Sequence, residues 1–156
     1  MQINIITIGK IKEKYFIDAI SEYKKRLSSF CKLKILEISA EQILDESLAE
    51  KYMFTEANKI LAHIKESSYL ITLEINGKSL SSIELSKKLD SLIHSGLNDL
   101  TFVIGGPNGI HPIVSERANF KLSLSKMTFP YQISNLLLIE QIYRSFKILS
   151  NEPYHR

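Results

Sequence analysis

Hydrophobic and polar positions along this chain switch repeatedly between strand and helix spacing, and the switching predicts an α/β fold. Residues 2–8 favour β structure and end at Gly9, and residues 13–29 then repeat at helical spacing. The switching continues to the C-terminus, with strands predicted at 32–38, 69–75, 100–104 and 119–124 and helices at 41–66, 81–94, 112–117 and 133–149. The order βαβαβαβαβα predicts a mostly parallel sheet with helices on both faces.

Length and composition indicate one ordinary globular unit. We expect a single domain over residues 1–156, because a chain of this length buries roughly 68–70% of its unfolded surface. The single cysteine, Cys31, excludes an internal disulfide and a multi-cysteine metal site, no two histidines have zincin spacing, and we predict no metal. The N-terminus has no basic leader and no apolar run approaches the ~20 residues of a membrane span, so we expect a soluble, cytoplasmic protein.

Three segments that follow predicted strands could form a ligand site, since parallel sheets bind ligands beyond the carboxyl ends of their strands. They are residues 74–78, Gly105 to Gly109, and Ser125 to Pro130. Glycine backbone can approach a ligand closely, but the loop pattern taken alone favours a tight turn after a strand. The net charge of +3 is compatible with a polyanionic partner without requiring one.

The end of the chain carries the groups best suited to proton transfer. His155 is the best candidate for proton transfer, because histidine side chains in general titrate near neutrality; Tyr154 can stack on a base, and Arg156 can pair with phosphate. The ordinary alternative is a disordered tail. On the preceding helix, Glu140 and Arg144 are spaced for an i,i+4 pair, which the pattern alone assigns to the surface.

Six segments, in this order and at this spacing, resemble the ribosomal RNA large-subunit methyltransferase H family of the SPOUT class over the whole chain. They are the strand ending at Gly9-Lys10 and residues 72–78, 103–109, 122–130, 138–144 and 153–156. The resemblance implies an α/β fold with a C-terminal deep trefoil knot. Periodicity does not indicate a knot, and knots are generally very rare.

The resemblance also implies an activity and a site. It implies a homodimer that transfers methyl from S-adenosylmethionine to N3 of a pseudouridine in 23S ribosomal RNA of the assembled ribosome. Matching positions assign cofactor binding to Leu73, Gly105, Leu124, Ser125, Lys126, Met127, Thr128 and Phe129. They assign catalysis and substrate binding to Arg144, Tyr154, His155 and Arg156, with one protomer's tail reaching its partner's cofactor. We expect His155 to take the N3 proton and an arginine to stabilise the anion.

The chain departs from the family at two positions. Tyr131 stands where the family usually has histidine, and Asn135 where it usually has arginine. An arginine there could reach phosphate or the cofactor carboxylate, so Asn135→Arg is expected to tighten one of the two interactions. The departures leave open a non-catalytic protein that binds ribosomal RNA. The element order alone would also fit a generic nucleotide-binding module.

Overall fold

The described residues fold into five strands and five α-helices that alternate along the chain. The structure, a computed structural model, describes residues 1–41 and 46–155. The strands are β1 (Gln2–Ile8), β2 (Lys32–Ile38), β3 (Tyr69–Ser79), β4 (Asp99–Ile104) and β5 (Phe120–Ser123). The helices are α1 (Lys14–Leu27), α2 (Ala49–Ala62), α3 (Ser82–His94), α4 (Pro112–Arg117) and α5 (Tyr131–Leu149). Among the described residues, no helix has both the length and the apolar character needed to cross a membrane.

The predicted elements are confirmed with shifts at their ends. The helix predicted over residues 41–66 is shorter, because its described part comprises a 3-10 turn at Glu46–Leu48 and α2, and residues 42–45 lie outside the described chain. Ser81 and Glu84 form the predicted capping box at the start of α3. β3 runs four residues further than predicted, and α5 begins two residues earlier.

All five strands are parallel and lie in the order β2-β1-β4-β3-β5. Successive side chains on a strand point to opposite faces, so Ile3 and Ile5 pack towards α1, α3 and α5 while Ile6 and Ile8 pack towards α2 and α4. Each buried Ile or Phe contributes roughly 1.5–3 kcal/mol of transfer free energy. The sheet is therefore held by a core on each face, which confirms the α/β prediction.

The pairing of β3 with β5 is interrupted close to the predicted site. Leu73 and Lys78 are both in register with Leu122, so residues 74–77 bulge out of the ladder. Gly77 lies against the β5 backbone, where an added Cβ would be 2.8 Å from backbone atoms of Lys121 and Leu122. Only a residue without a side chain fits this crossing. The trefoil knot implied by the resemblance stays a prediction.

Candidate active site

The ends of β4 and β5 lie on either side of β3, next to Leu73. β3 lies between β4 and β5, and Leu73 is in register with both Ile104 and Leu122. Leu73 is therefore adjacent to Gly105, which follows β4, and lies close to Leu124, which follows β5. Register thus brings the beginnings of the three predicted segments close together, and that they face one crevice stays a prediction.

The glycine loop after β4 folds back on itself. Gly106 and Gly109 form an antiparallel bridge, with the Gly109 N–H donating to the Gly106 carbonyl at 2.9 Å. An added Cβ on Gly105 would be 2.6 Å from the Gly109 carbonyl oxygen, so this close approach requires glycine. This i→i+3 bond makes residues 106–109 a tight turn, as the simpler alternative predicts, and we call the turn backbone that packs closely against Gly105 the cradle.

The segment after β5 is held by its own serines. The Ser123 hydroxyl donates to the Ser125 carbonyl at 3.0 Å, and the Met127 N–H donates to the Ser125 hydroxyl at 2.9 Å. Lys126, Met127 and Thr128 are exposed, whereas Leu124 and Phe129 are half-buried. The segment thus presents backbone groups and exposed side chains on a hydrogen-bonded base, which suits recognition of a heterocycle.

Glu74 ties α4 to the end of β3. One of its carboxylate oxygens accepts from the buried Thr72 hydroxyl at 2.7 Å and from the Ser115 hydroxyl at 2.8 Å. Because α4 follows the glycine loop, this contact fixes the far end of the loop against the strand that carries Leu73. The sequence placed Glu74 in a connecting segment and gave no indication of this anchor.

The C-terminal tail packs onto α5 through Glu140. One Glu140 oxygen accepts from the Arg144 Nε at 3.0 Å, from its Nη2 at 2.6 Å and from the Tyr154 hydroxyl at 3.1 Å. The other oxygen accepts from Gln141 at 2.7 Å. The predicted i,i+4 ion pair between Glu140 and Arg144 is confirmed, but the two side chains are only 16% and 25% exposed, so its predicted place on the open surface is wrong. It is a half-buried anchor for the tail.

Tyr154 also packs against neighbouring aromatic side chains. Its ring meets Tyr143 edge-on at 5.0 Å and lies under the Arg144 guanidinium at 4.7 Å, and its hydroxyl is 3.3 Å from that of Tyr23. Burial and the bonds to Tyr23 and Glu140 raise the Tyr154 pKa above its ordinary value. The hydrogen bond to Glu140 likewise raises the Arg144 pKa. Tyr154 therefore stays a neutral phenol and Arg144 stays a cation.

His155 reaches the same cluster from the tail. Its Nδ1 lies 3.4 Å from Arg144 Nη1, and because a guanidinium only donates, Nδ1 must be the acceptor. The neutral ring then carries its hydrogen on Nε2. Acceptance of a substrate proton requires Arg144 to turn away from Nδ1 or the ring to change tautomer. Arg156, also predicted for this site, lies outside the described residues.

The structure separates the two halves of the predicted site within one chain. The cofactor segment leads directly into α5 at Tyr131, whereas Glu140 and Arg144 lie about 14 and 20 Å further along the helix at 1.5 Å per residue. Arg144, Tyr154 and His155 are therefore together, and Leu73, Gly105 and the segment from Leu124 to Phe129 are together. One chain does not bring the two groups into contact.

One exposed stripe of α5 connects the two halves. Ile133, Leu137, Glu140 and Arg144 recur at steps of four, three and four residues, which places them on one helix face. Ile133 and Leu137 are 36% and 38% exposed, a large share for apolar side chains that are adjacent on a helix. The apolar half of the stripe lies next to the cofactor segment, and the charged half lies at the tail.

The two departures from the family serve packing in this chain. The Tyr131 ring covers Gly9, where an added Cβ would be 2.6 Å from the ring, and its hydroxyl donates to the Lys10 carbonyl at 2.9 Å. Asn135 is completely buried, donates to the Tyr131 carbonyl at 3.3 Å and leaves its Oδ1 without a partner. The expectation that an arginine at 135 would reach a ligand is therefore wrong for this packing.

Sequence reasoning missed two contributors to the tail cluster. It treated Glu140 only as an ion-pair partner, although four hydrogen bonds converge on its carboxylate. It did not consider Tyr23, which lies 131 residues before Tyr154. Apolar residues flank Glu140 in the sequence of α5, and this pattern could have indicated that its carboxylate is partly buried. No local pattern indicates the contact of Tyr154 with Tyr23 on α1.

Comparisons with known proteins agree with this geometry. A family profile described as predicted SPOUT methyltransferase matches residues 1–155. Proteins named ribosomal RNA large subunit methyltransferase H from Acetivibrio thermocellus and Clostridium botulinum are 49% and 48% identical, with all of both chains covered. A Methanococcus maripaludis protein that bears the same name provisionally is 51% identical over both full chains. A crystal structure from Neisseria gonorrhoeae, assigned to a methylase family, shares the fold at 10% identity and a TM-score of 0.51, covering 97% of this chain and 84% of that one.

Proposed function

This chain belongs to the SPOUT methyltransferase family, and from that premise we propose that it methylates large-subunit ribosomal RNA with S-adenosylmethionine. The specific target we propose is N3 of a pseudouridine in 23S RNA of the assembled ribosome. The observation that carries the proposal is the pair of half-sites on α5: a backbone cradle at its start and a cluster of Arg144, Tyr154 and His155 near its end. Action on the ribosome implies a cytoplasmic protein, and the proposal includes no metal.

The carboxyl edge of the sheet fits the cofactor. The cradle at Gly105 admits no Cβ, and the neighbouring segment offers backbone groups beside half-buried apolar side chains. We assign cofactor binding to Leu73, Gly105, Leu124, Ser125, Lys126, Met127, Thr128 and Phe129. Bound there, S-adenosylmethionine supplies a methyl group activated by a sulfonium. Glu74 acts indirectly, because it holds α4 and with it the end of the glycine loop.

A twofold homodimer would join the half-sites. In such a dimer, two copies of α5 would pack antiparallel through Ile133 and Leu137. Arg144 lies about 16 Å along the helix from Ile133, so the Arg144 of one protomer would lie opposite the start of its partner's α5. The tail of each protomer would then face its partner's cofactor segment. Burial of the two exposed apolar side chains supports this arrangement.

The tail residues have distinct roles in this proposal. Arg144, a permanent cation fixed by Glu140, stabilises negative charge that develops on the base as N3 loses its proton. His155 accepts that proton once Nδ1 is released from Arg144, or hands it to water. Tyr154 positions both, because its hydroxyl is committed to Glu140 and its pKa is raised. Arg156 is assigned to RNA phosphate by its place in the family motif.

The non-catalytic alternative loses its support. It rested on Tyr131 and Asn135, and both side chains are engaged in packing α5 on β1 rather than facing a ligand. The residues that the reaction needs are present at the matching positions, from Gly105 to His155.

Labelled methyl transfer tests the proposal. Ribosomes from cells that lack the modification are incubated with the protein and S-adenosylmethionine carrying a labelled methyl group. We expect label in 23S RNA and a reverse-transcription stop at one pseudouridine, because a methyl at N3 blocks the pairing edge of the base. His155→Ala should bind cofactor normally and transfer slowly. Cofactor binding without transfer by the wild type would contradict the enzyme, and label without a stop would contradict the N3 assignment.

A further inference from the structure

A basic pocket lies beside the edge strand β5, outside the residues assigned above. It has a volume of about 390 Å³, at the low end of ligand sites, and Lys78, Lys87 and Lys88 line it. Lys87 and Lys88 lie on the side of α3 that also carries Glu84 and Ser91, at helical steps of three and four residues. This stripe points away from α5, since Ser82 and the buried Leu89 mark the side that faces it.

The charge in this pocket is available to a ligand. Within residues 1–41 and 46–155, none of the three lysines forms an ion pair. The one carboxylate in the lining, Glu84, accepts from the Ser81 N–H at 2.8 Å as part of the helix cap. Hydrogen bonds from Ser81 lower the Glu84 pKa, and Lys78 and Lys87 lower it further. The carboxylate is thus committed to the cap, and the pocket keeps an excess of positive charge.

The wall of the pocket is suited to a sugar or a base. Phe120, from β5, lines it together with Leu80 and Leu92, and the Lys88 ammonium lies 3.9 Å from the centre of the Phe120 ring. Cations placed next to an aromatic and aliphatic surface match a nucleotide better than they match an acidic peptide, which offers no flat ring.

The pocket also lies in line with the proposed transfer site. Lys78 is in register with Leu122, two residues before Leu124, and Phe120 is four residues before it. At about 3.3 Å per strand residue the pocket therefore begins about 7 Å, and ends about 13 Å, from the cofactor segment. An RNA strand bound at the transfer site therefore needs only a short further stretch to reach the pocket.

We propose that this pocket binds the RNA backbone close to the methylated base, with phosphate on Lys78, Lys87 and Lys88 and a sugar or base against Phe120. The inference rests on the proposed function and adds to it a second contact that sets the register of the RNA. In this proposal the three lysines strengthen RNA binding and take no part in methyl transfer.

Salt dependence of binding tests the pocket without relying on methyl transfer. Binding of the full-length protein to the ribosome is measured between 50 and 300 mM KCl for Lys87→Gln, Lys88→Gln and the double variant. Lys51→Gln, an exposed lysine on α2, is the matched control. Each pocket substitution should lower the slope of log affinity against log salt by about 0.7–0.9, and the control should not. Where transfer is measured, KM for ribosomes should rise roughly two- to fivefold per lysine with kcat unchanged.

Three outcomes separate the claims. Slopes for Lys87→Gln and Lys88→Gln equal to that of Lys51→Gln would overturn the pocket. A fall in kcat with unchanged KM would also overturn it, since the lysines would then act in the reaction. If the wild type binds ribosomes without transferring methyl, the proposed function fails while the slopes still decide the pocket. Lys87 makes no ring contact, so its variant remains informative if Lys88→Gln loses stability with the Phe120 contact.

Discussion

Replacing Glu140 with glutamine should both loosen the tail and slow methyl transfer. The Glu140 carboxylate accepts two hydrogen bonds from Arg144 and one from Tyr154, and the substitution removes its charge. It also places the new amide nitrogen against the Gln141 amide nitrogen, so that two donors face each other. Charge-assisted bonds contribute roughly 1.5–3 kcal/mol and neutral ones about 1 kcal/mol. Solvent screens part of this difference, because both partners are partly exposed.

We therefore expect a loss of about 1–2 kcal/mol in the free energy of unfolding, or about 2–8 °C in Tm for a chain of this size. The single-turnover rate should fall about tenfold or more, because His155 loses the partners that hold it. Denaturant unfolding and single-turnover methylation of ribosomes measure the two effects.

The matched control is Glu22→Gln, which breaks another i,i+4 Glu–Arg pair, with Arg26, in an exposed setting. It should change neither stability nor rate measurably. If Glu140→Gln behaved like Glu22→Gln in both assays, the tail would not depend on this anchor, and the reasoning would be refuted.

Three further predictions follow from the sheet edge and the core. Gly105→Ala should weaken S-adenosylmethionine binding at least tenfold by calorimetry, because the new Cβ would be 2.6 Å from the Gly109 carbonyl; unchanged affinity would contradict the cradle. Asn135→Arg should lower the free energy of unfolding by roughly 3–5 kcal/mol, because it buries a charge. Asn135→Leu removes an unpartnered oxygen, so it should leave stability unchanged or raise it. Tighter ligand binding by the arginine variant would contradict this packing. Burial acts to raise the Asp99 pKa, but the Lys65 ammonium and neighbouring hydrogen bonds hold it below its usual value. Its stabilisation is therefore fully present above the unfolded Asp pKa of about 3.9 and is lost as pH falls through the lower folded pKa. Asp99→Asn should therefore flatten the acid limb of the stability curve, and an unchanged limb would contradict that assignment.

Local signals explain why so much of the fold was predictable. The short helix at Pro112–Arg117 was predicted with its observed bounds, because proline sets its first turn and the pattern changes spacing on either side. The capping box at Ser81 likewise fixed the start of α3. The strand order β2-β1-β4-β3-β5 and the bulge opposite Leu122 depend on pairing between distant segments, which no local pattern contains.

The sequence identified which residues belong to the candidate site better than it indicated how they are arranged. The motifs named the residues on both halves, but only the structure shows that α5 holds them about 20 Å apart in one chain. The packing of the tail depends on the contact between Tyr23 and Tyr154. These residues are 131 positions apart, so local periodicity cannot predict their contact. Asn135 was misjudged although a signal existed, since it shares the buried stripe of Leu138, Ile139 and Ile142 at steps of three, four and seven residues.

The central claim is that one protomer's tail completes its partner's cofactor site, and a mixed-dimer assay tests it most directly. His155→Ala lacks the tail function and Gly105→Trp lacks the cradle, so each alone should methylate 23S RNA far more slowly than the wild type, which provides the reference rate. After the two variants are mixed in equal amounts and allowed to exchange protomers, half of the dimers are mixed and one of their two sites is intact, so about a quarter of wild-type activity should return. Mixed dimers without activity, beside an active wild type, would show that each tail serves its own chain and would contradict the account.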